Sequence, residues 1–560
     1  MSKDAVLSVK DLHISFVGER PFTAVNNISF EIGRGRTLAI VGESGSGKSL
    51  TALSLMGLLP KTASVKGEFS LQAGEKQFQL SSFNDNKDWQ RVRGVEAGMV
   101  FQEPMSSLNP VMRIGKQLAE CILTHQKISN EEAKELAISW LRQVQLPEPE
   151  KMYSRYPHQL SGGQKQRVMI AMAMCNHPVL LIADEPTTAL DVTVQQEVIR
   201  LMQYLREQHN TALIFITHDL ALAATIADEV LVMYKGEMAE YGAAEDVLKA
   251  PKHPYTQALV ACKPSPSHKG YKLPIVADFL EADKSKAVPG MPEVVSTVTD
   301  NNILEVKELK VWFPEGKNWL GQPRSYFKAV DGVSFELRKG EVLGLVGESG
   351  CGKSTISRAL VGLLPVHEGR ILYGGEDLAK LPHKEWTRIR RKIQMIFQDP
   401  FSSLNPRMTI GDMLEEPMRV HGIVPDSELR KEAQRLLDIV QLPADSLKRY
   451  PHQFSGGQRQ RLGIARALAL RPQILICDES VSALDVSVQA QILNLLKELQ
   501  TQFQLSYLFI SHDLSVVHYI SDRVMVMQAG KIVESGDAVQ VLKQPAHDYT
   551  RKLIAAMPEL

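Results

Sequence analysis

Short runs in which nearly every position is apolar alternate along this chain with stretches whose apolar residues follow a helical period. Leu38-Ala39-Ile40-Val41, Val179-Leu180-Leu181-Ile182 and Ala212 to Ile216 are such runs, and they have twins at Val342 to Val346, Ile474-Leu475-Ile476 and Tyr507 to Ile510. A run without alternating polar positions predicts a strand covered on both faces. Strands separated by helical patterns predict an α/β fold with a mainly parallel sheet, here built twice. One helix is sharply marked. Ser129 caps its start, Glu132 completes a capping box, and Ala133, Leu136, Ala137, Trp140, Leu141 and Val144 form its apolar stripe. Leu429, Ala433, Leu436, Leu437 and Val440 repeat that stripe in the second half. Both stripes are read as core packing.

The 560 residues exceed what one core supports, and two domains of about 250 residues are the natural division. We place the first domain at residues 1–262, a linker at 263–302 and the second domain at 303–560. The linker carries Pro264, Pro266, Pro274, Pro289 and Pro292, which lack the N–H that a helix interior needs. It is expected to run extended, with part of it on the first domain. The halves end alike, in His253-Pro254-Tyr255-Thr256 and His547-Asp548-Tyr549-Thr550. Lys48 and Glu185 stand farther apart than Lys353 and Glu479, and most of the surplus lies near Gln72–Asn84.

Lys+Arg and Asp+Glu are both 64, which argues against a nucleic-acid coat. No stretch approaches the roughly 20 apolar residues that span a bilayer, and the start has no signal-peptide core. The expected location is the cytosol, unless a membrane partner holds the chain. The five cysteines are scattered without a CxxC pair, so they are read as buried thiols, not as disulfides or a metal site.

The chemistry is carried in duplicate. Gly42-Glu43-Ser44-Gly45-Ser46-Gly47-Lys48-Ser49 recurs as Gly347-Glu348-Ser349-Gly350-Cys351-Gly352-Lys353-Ser354. Each follows an apolar run and has the spacing of a P-loop, whose backbone N–H groups cradle phosphate at a helix N-terminus. Lys48 and Lys353 are expected on the β- and γ-phosphates, and the Ser49 and Ser354 hydroxyls on Mg²⁺. Asp184 and Asp478 end apolar runs, where a carboxylate can orient the metal; Glu185 and Glu479 follow directly and are candidate general bases toward water. His218 and His512 trail their glutamates by the same spacing and are read as γ-phosphate contacts. Gln102 and Gln398 end further apolar runs, and their amides are suited to ligate Mg²⁺ or water weakly.

Leu160-Ser161-Gly162-Gly163-Gln164 and Phe454-Ser455-Gly456-Gly457-Gln458 complete the set as second anion cradles. With these segments the chain resembles the nucleotide-binding subunits of ABC transporters, both halves fused, over nearly its whole length. The resemblance implies RecA-like P-loop cores, each with an antiparallel β subdomain and a helical signature subdomain. It implies ATP and Mg²⁺ as cofactors, with nucleotide contacts from each P-loop, Thr355 beside Ser354, and the signature residues Ser161, Gly163, Gln164, Ser455, Gly457 and Gln458. It also implies a head-to-tail sandwich in which the first P-loop faces Ser455 and the second faces Ser161. Leu190-Asp191 and Leu484-Asp485 match the loops that touch across that seam. Phe16 and Phe313 fit the aromatic that stacks on adenine, with Phe22 and Phe327 as rivals. Cys351 for Ser46, Phe454 for Leu160 and Ser480 for Pro186 remove no phosphate-contacting group, so two active sites are expected.

Phe101-Gln102-Glu103-Pro104 with Ser106 to Pro110, Phe397 to Pro406, Arg155 to Gln159 and Asp191 to Gln195 are similar to the peptide-importer branch of that family. The resemblance implies a cargo among di- and oligopeptides, glutathione, nickel chelates and peptide antibiotics. The resemblance implies two transmembrane permease subunits, docked in grooves formed after Gln102 and Gln398, and an extracytoplasmic substrate-binding protein. The chain would sit peripherally on the cytoplasmic face of the inner membrane. Many such ATPases carry a cysteine cluster for iron–sulfur in the C-terminal extension; only Cys262 lies in that region of either half, so no cluster is expected. An exporter, or a fused ABC protein acting on ribosomes, is the alternative. The proline-punctuated linker and zero net charge disfavour ribosomes, as the basic run Arg388 to Lys392 reads as a solvated helix face.

Overall fold

The structure is a computed structural model that describes residues 5–18, 21–102, 107–188, 190–280, 298–317, 319, 323–382, 384–399, 403–482 and 484–557. It divides into two units. The first is built on residues up to Ala261 together with helix Val276–Leu280; the second takes Cys262–Ile275 and the described residues from 298 to 557.

In the first unit the strands are β1 (Ala5–Phe16), β2 (Phe22–Gly33), β3 (Thr37–Val41), β4 (Ala63–Ala73), β5 (Lys76–Gln79), β6 (Ala97–Val100), β7 (Leu180–Asp184), β8 (Ala212–Thr217), β9 (Glu229–Tyr234) and β10 (Glu237–Ala243). They form an antiparallel sheet in the order β2-β1-β4-β5 and a second sheet in the order β10-β9-β3-β8-β7-β6. In the second sheet β6, β7, β8, β3 and β9 run parallel and β10 returns antiparallel. Every residue of β3, β7 and β8 is buried, as their unbroken apolar runs predict.

The second unit repeats the plan with β11 (Asn302–Lys317), β12 (Pro323–Arg338), β13 (Val342–Val346), β14 (Glu368–Tyr373), β15 (Glu376–Asp377), β16 (Ile393–Ile396), β17 (Ile474–Asp478), β18 (Ser506–Ile510), β19 (Arg523–Gln528) and β20 (Lys531–Asp537). Its sheets are ordered β12-β11-β14-β15 and β16-β17-β18-β13-β19-β20. The surplus near Gln72–Asn84 becomes a longer hairpin: β4 and β5 span 11 and 4 residues against 6 and 2 for β14 and β15.

The helical subdomain of the first unit holds Ile114–His125, Asn130–Gln143 and the signature helix Gly162–Met174 around one core containing Ile114, Leu118, Trp140 and Ile170. The capping box forms, with Ser129 Oγ 3.2 Å from the Glu132 N–H it accepts and Glu132 Oε2 2.8 Å from the Ser129 N–H. The stripe is narrower than its apolar residues suggest. Leu136 is 40% exposed while Ala133, Ala137, Trp140, Leu141 and Val144 are buried. At about 100° per residue, position 136 lies roughly 80° from the stripe's centre, where the packing surface ends.

Of the linker, helix Val276–Leu280 groups with the first unit, whereas residues 262–275 pack on the second. The Asn494 side chain grips Leu273 from both sides, accepting its N–H at 2.9 Å and donating to its carbonyl at 2.8 Å. The Tyr519 hydroxyl donates to the Tyr271 carbonyl at 2.9 Å, and Lys272 pairs with Glu498 at 3.0 Å. Nothing in the linker's own proline pattern specifies this; the signal is on the receiving helices. At the places of Asn494 and Tyr519 in helices Val486–Phe503 and Leu514–Ile520, the first unit's Val192–His209 and Leu220–Ile226 carry Arg200 and Thr225. Asn494→Ala strips both partners from the buried Leu273 backbone and should cost about 2 kcal/mol. Proteolysis within residues 263–275 should accelerate accordingly; an unchanged cleavage rate would show that Asn494 does not hold the segment.

Candidate functional site

In each unit the chemistry-bearing residues converge at the carboxyl ends of adjacent parallel strands, the edge where open α/β sheets place ligands. In the first unit β3 runs into the P-loop, β8 into His218, β7 ends at Asp184, and Gln102 lies two residues past β6. In the second unit β13, β18, β17 and β16 bring the P-loop, His512, Asp478 and Gln398 to the corresponding edge.

The P-loop backbone requires its glycines. Gly42 has φ +150, and a Cβ there would stand 2.2 Å from the Met233 carbonyl oxygen. Gly347 has φ +153 and meets the Met527 carbonyl at the same 2.2 Å. Gly47 and Gly352, both left-handed, lead into helices Lys48–Leu55 and Lys353–Leu360, whose first-turn N–H groups point back over the loop. Thr355 lies in that first turn in the second unit. Ser44 and Gly45, like Ser349 and Gly350, lie on the outer part of their loops, where a Cβ on either glycine would meet no atom within 4 Å.

Lys48 is buried, and its Nζ donates to the Gly42 and Glu43 carbonyls, both at 2.8 Å. Lys353 does the same with Gly347 and Glu348 at 2.6 and 2.9 Å. Cys351 is buried beside it, with Sγ 3.9 Å from Lys353 Nζ.

Ser49 Oγ donates to Asp184 Oδ1 at 3.0 Å, and Ser354 Oγ to Asp478 Oδ1 at 3.0 Å. Asp478 has a further donor in Ser357 at 3.2 Å, a residue absent from the sequence-based candidates and signalled by nothing in the repeat, since Ala52 stands in its place. Burial pushes Asp184 up to about 6, and it raises Asp478 too, despite the serine hydroxyls.

Glu185 and Glu479 leave the strand in the left-handed region, with φ +45 and +48. That conformation is uncommon for a residue with a Cβ. It is this turn, and not strand alternation, that separates each glutamate from the aspartate before it. Glu185 Oε2 accepts from Gln102 Nε2 at 3.1 Å and from Thr188 Oγ1 at 2.9 Å, and His218 Nδ1 stands 3.4 Å away. Glu479 Oε2 accepts from Gln398 Nε2 at 2.7 Å with His512 Nδ1 at 3.4 Å. Burial acts to raise both carboxyls, but the facing histidine and lysine outweigh it, and with Thr188 they bring Glu185 down to about 2. His512 moves the opposite way: burial lowers it, while Glu479 raises it further. The glutamines thus turn their amide nitrogens to the glutamates, a contact that spacing alone does not reveal. Thr188 was also missed; its counterpart Ser482 donates to the Glu479 backbone carbonyl, so the two carboxylates are not equivalent.

Phe16 and Phe22 are cross-strand partners whose rings stack at 5.1 Å, and Phe313 and Phe327 are paired in the same register. The rival aromatics are therefore neighbours in each unit. Ser161 caps the signature helix in a reciprocal box with Gln164, and Ser455 does so with Gln458. These residues bond to each other and not to the P-loop of their own unit. Gly163 and Gly457 serve close packing: a Cβ would approach Val194 Cγ1 to 2.4 Å and Val488 Cγ1 to 2.3 Å. Asp191 caps the next helix through the Val194 N–H at 3.0 Å. Glu103, Pro104, Ser106, Pro400 and part of the segments after Gln102 and Gln398 lie outside the described residues. No helix of the described chain is long and apolar enough to cross a membrane.

The sequence model of the ABC transporter family matches residues 25–188 and 330–482. The model named "Oligopeptide/dipeptide transporter, C-terminal region" matches residues 239–282 and 533–560. The glutathione import ATP-binding protein GsiA of Salmonella choleraesuis (strain SC-B67) is 48% identical over 557 residues, 99% of this chain and 89% of its own length. GsiA of Escherichia coli (strain K12) is 48% identical over 559 residues with the same coverage of both chains. Among solved structures, a dimeric ATP-binding cassette bound to ADP and Pi is 28% identical, covering 42% of this chain and 98% of its own, with a TM-score of 0.38. With the family model matched twice and the relatives aligned nearly end to end, the chain belongs to the ABC transporter family, as an ATP-binding subunit that joins two ABC domains in one polypeptide.

Proposed function

We propose that this chain powers the import of peptides or peptide-like compounds through a pair of membrane permeases, hydrolysing ATP at two sites. One observation carries the reading: two complete nucleotide kits occur with two copies of the oligopeptide/dipeptide transporter C-terminal region, in a chain 48% identical over 99% of its length to glutathione import ATP-binding proteins.

ATP lies with its phosphates over the P-loop N–H groups and the helix N-terminus, and Lys48 or Lys353 leaves its loop carbonyls for the phosphate oxygens. Phe16 and Phe313, beside Phe22 and Phe327, stack on the adenine. The donor set fits Mg²⁺, a hard cation with oxygen ligands. Ser49, Asp184 and Gln102 would hold it in one half and Ser354, Asp478 and Gln398 in the other, where its charge would offset the burial that raises both aspartates. With its nitrogen committed to the glutamate, each glutamine presents its carbonyl oxygen as the ligating end. When bound, Mg²⁺ neutralises charge on the β- and γ-phosphates. Glu185 and Glu479, held ionised, accept a hydrogen bond from the attacking water and take its proton. His218 and His512, on the same carboxylates, face the γ-phosphate.

Ser161, Gly163 and Gln164 complete the second half's site and Ser455, Gly457 and Gln458 the first half's, in a head-to-tail closure favoured by ATP and released by its loss. The chain is peripheral on the cytoplasmic face of the inner membrane, and an extracytoplasmic binding protein delivers cargo. The test is reconstitution with the permease pair and binding protein in vesicles. Glutathione or short peptides should stimulate hydrolysis and appear inside; a chain that co-purifies with ribosomes and ignores peptide would reject the reading.

A further inference from the structure

In each half the second helix after the last strand, Pro254–Cys262 or Asp548–Ala555, reaches back to its P-loop. In the first unit a carboxylate fixes the turn ahead of helix Pro254–Cys262: Glu240 accepts the Lys252 and His253 N–H groups at 2.9 and 3.2 Å. His253 Nδ1 then accepts the Tyr255 N–H at 3.2 Å. Tyr255 is fully buried, and its hydroxyl oxygen accepts the backbone N–H of Glu43 in the P-loop at 3.1 Å. The second unit repeats every step. Glu534 accepts from Ala546 and His547 at 2.8 and 3.1 Å, His547 Nδ1 accepts the Tyr549 N–H at 3.1 Å, and Tyr549 accepts the Glu348 N–H at 3.1 Å.

The surroundings of the two tyrosines are not kept. Tyr234, whose ring lies 4.1 Å from that of Tyr255, ends β9 where Gln528 ends β19, and Pro254 is replaced by Asp548. What recurs is the chain of glutamate, histidine, tyrosine and P-loop N–H. Packing alone would need the ring and not the hydroxyl. That N–H belongs to the Gly42–Glu43 peptide, whose carbonyl oxygen accepts from Lys48 Nζ at 2.8 Å, as the Gly347–Glu348 peptide does for Lys353 at 2.6 Å. One phenol therefore sets the peptide that begins the phosphate cradle and parks its lysine.

We propose that Tyr255 and Tyr549 are positioning residues for ATP binding, fixing the start of each P-loop through the Glu43 and Glu348 N–H groups. The proposal deepens the nucleotide reading above and rests on it. It gives the oligopeptide/dipeptide transporter C-terminal region, which contains both tyrosines, a task inside each nucleotide site.

The test is the full chain carrying Tyr255→Phe and Tyr549→Phe together, which keeps both rings and deletes both acceptors. A net hydrogen bond of ordinary strength corresponds to about a five- to tenfold change in an equilibrium constant. The KM for ATP in the permease complex, and the equilibrium dissociation constant of ATP from the chain, should rise by about that factor while kcat changes less than about twofold. His253→Ala with His547→Ala, which loosens the turn but keeps the phenols, should raise KM by a smaller factor. A lower melting temperature with unchanged KM and ATP affinity would overturn the proposal, because that is the signature of a purely structural hydroxyl. A wild-type chain that failed to bind ATP would defeat the nucleotide reading itself, and the tyrosine inference with it.

Discussion

Glu185→Gln and Glu479→Gln, introduced together, should lower steady-state ATP hydrolysis by about 10²–10⁴-fold, the usual contribution of a positioned base. The substitution is close to isosteric and leaves the left-handed turn in place. A glutamine side chain still offers one oxygen to Gln102 and Thr188 in the first unit, or to Gln398 in the second, so the local network survives. It cannot take a proton from water. ATP should therefore stay bound and accumulate on the chain unhydrolysed. Single variants separate the halves. Glu185 carries the Thr188 hydroxyl on its carboxylate and Glu479 does not, so unequal losses would show that the two sites turn over at different rates. If either single variant left hydrolysis unchanged, that half would be a passive nucleotide holder. If the double variant hydrolysed ATP normally, these glutamates would have no part in the chemistry.

Much of this arrangement is legible in the sequence because duplication removes ambiguity. A glycine turn or a histidine after a strand means little once; found twice at matching places, each predicts the strand end on which it lies. The buried strands were readable because burial on both faces leaves no polar position in Leu38 to Val41 or Ile474 to Ile476. What was not readable depends on contacts remote in sequence. The linker's prolines predict an extended segment but not its dock, which is decided by Asn494 and Tyr519 more than 200 residues away. The signature glycines look like an anion cradle, whereas Gly163 is also required by Val194 packing against its backbone. The link from Tyr255 to Glu43 joins two motifs that were each visible, yet no periodicity or spacing ties one to the other.

Lys48→Ala and Lys353→Ala should produce the converse of the glutamate variants, with binding weakened and not merely turnover. Each ammonium is buried and held by two loop carbonyls, so its charge is already inside the cradle before nucleotide arrives. Moving it to phosphate exchanges neutral acceptors for charged ones, and hydrogen bonds to charged groups contribute about 1.5–3 kcal/mol. Removing it should weaken ATP binding by about 10- to 100-fold at each site. The free chain should also unfold at a lower temperature, because the Gly42, Glu43, Gly347 and Glu348 carbonyls lose a donor. The decisive quantity is the shift that ATP causes. A ligand at about 100 times its dissociation constant stabilises the folded state by about 2.7 kcal/mol, so the wild type and the glutamine variants should show a clear rise in melting temperature with ATP. The lysine variants at the same concentration should keep only about 0.4–1.4 kcal/mol of that stabilisation and show a correspondingly smaller rise. An ATP-induced rise equal to that of the wild type would mean that the lysines stay on their carbonyls and never engage phosphate.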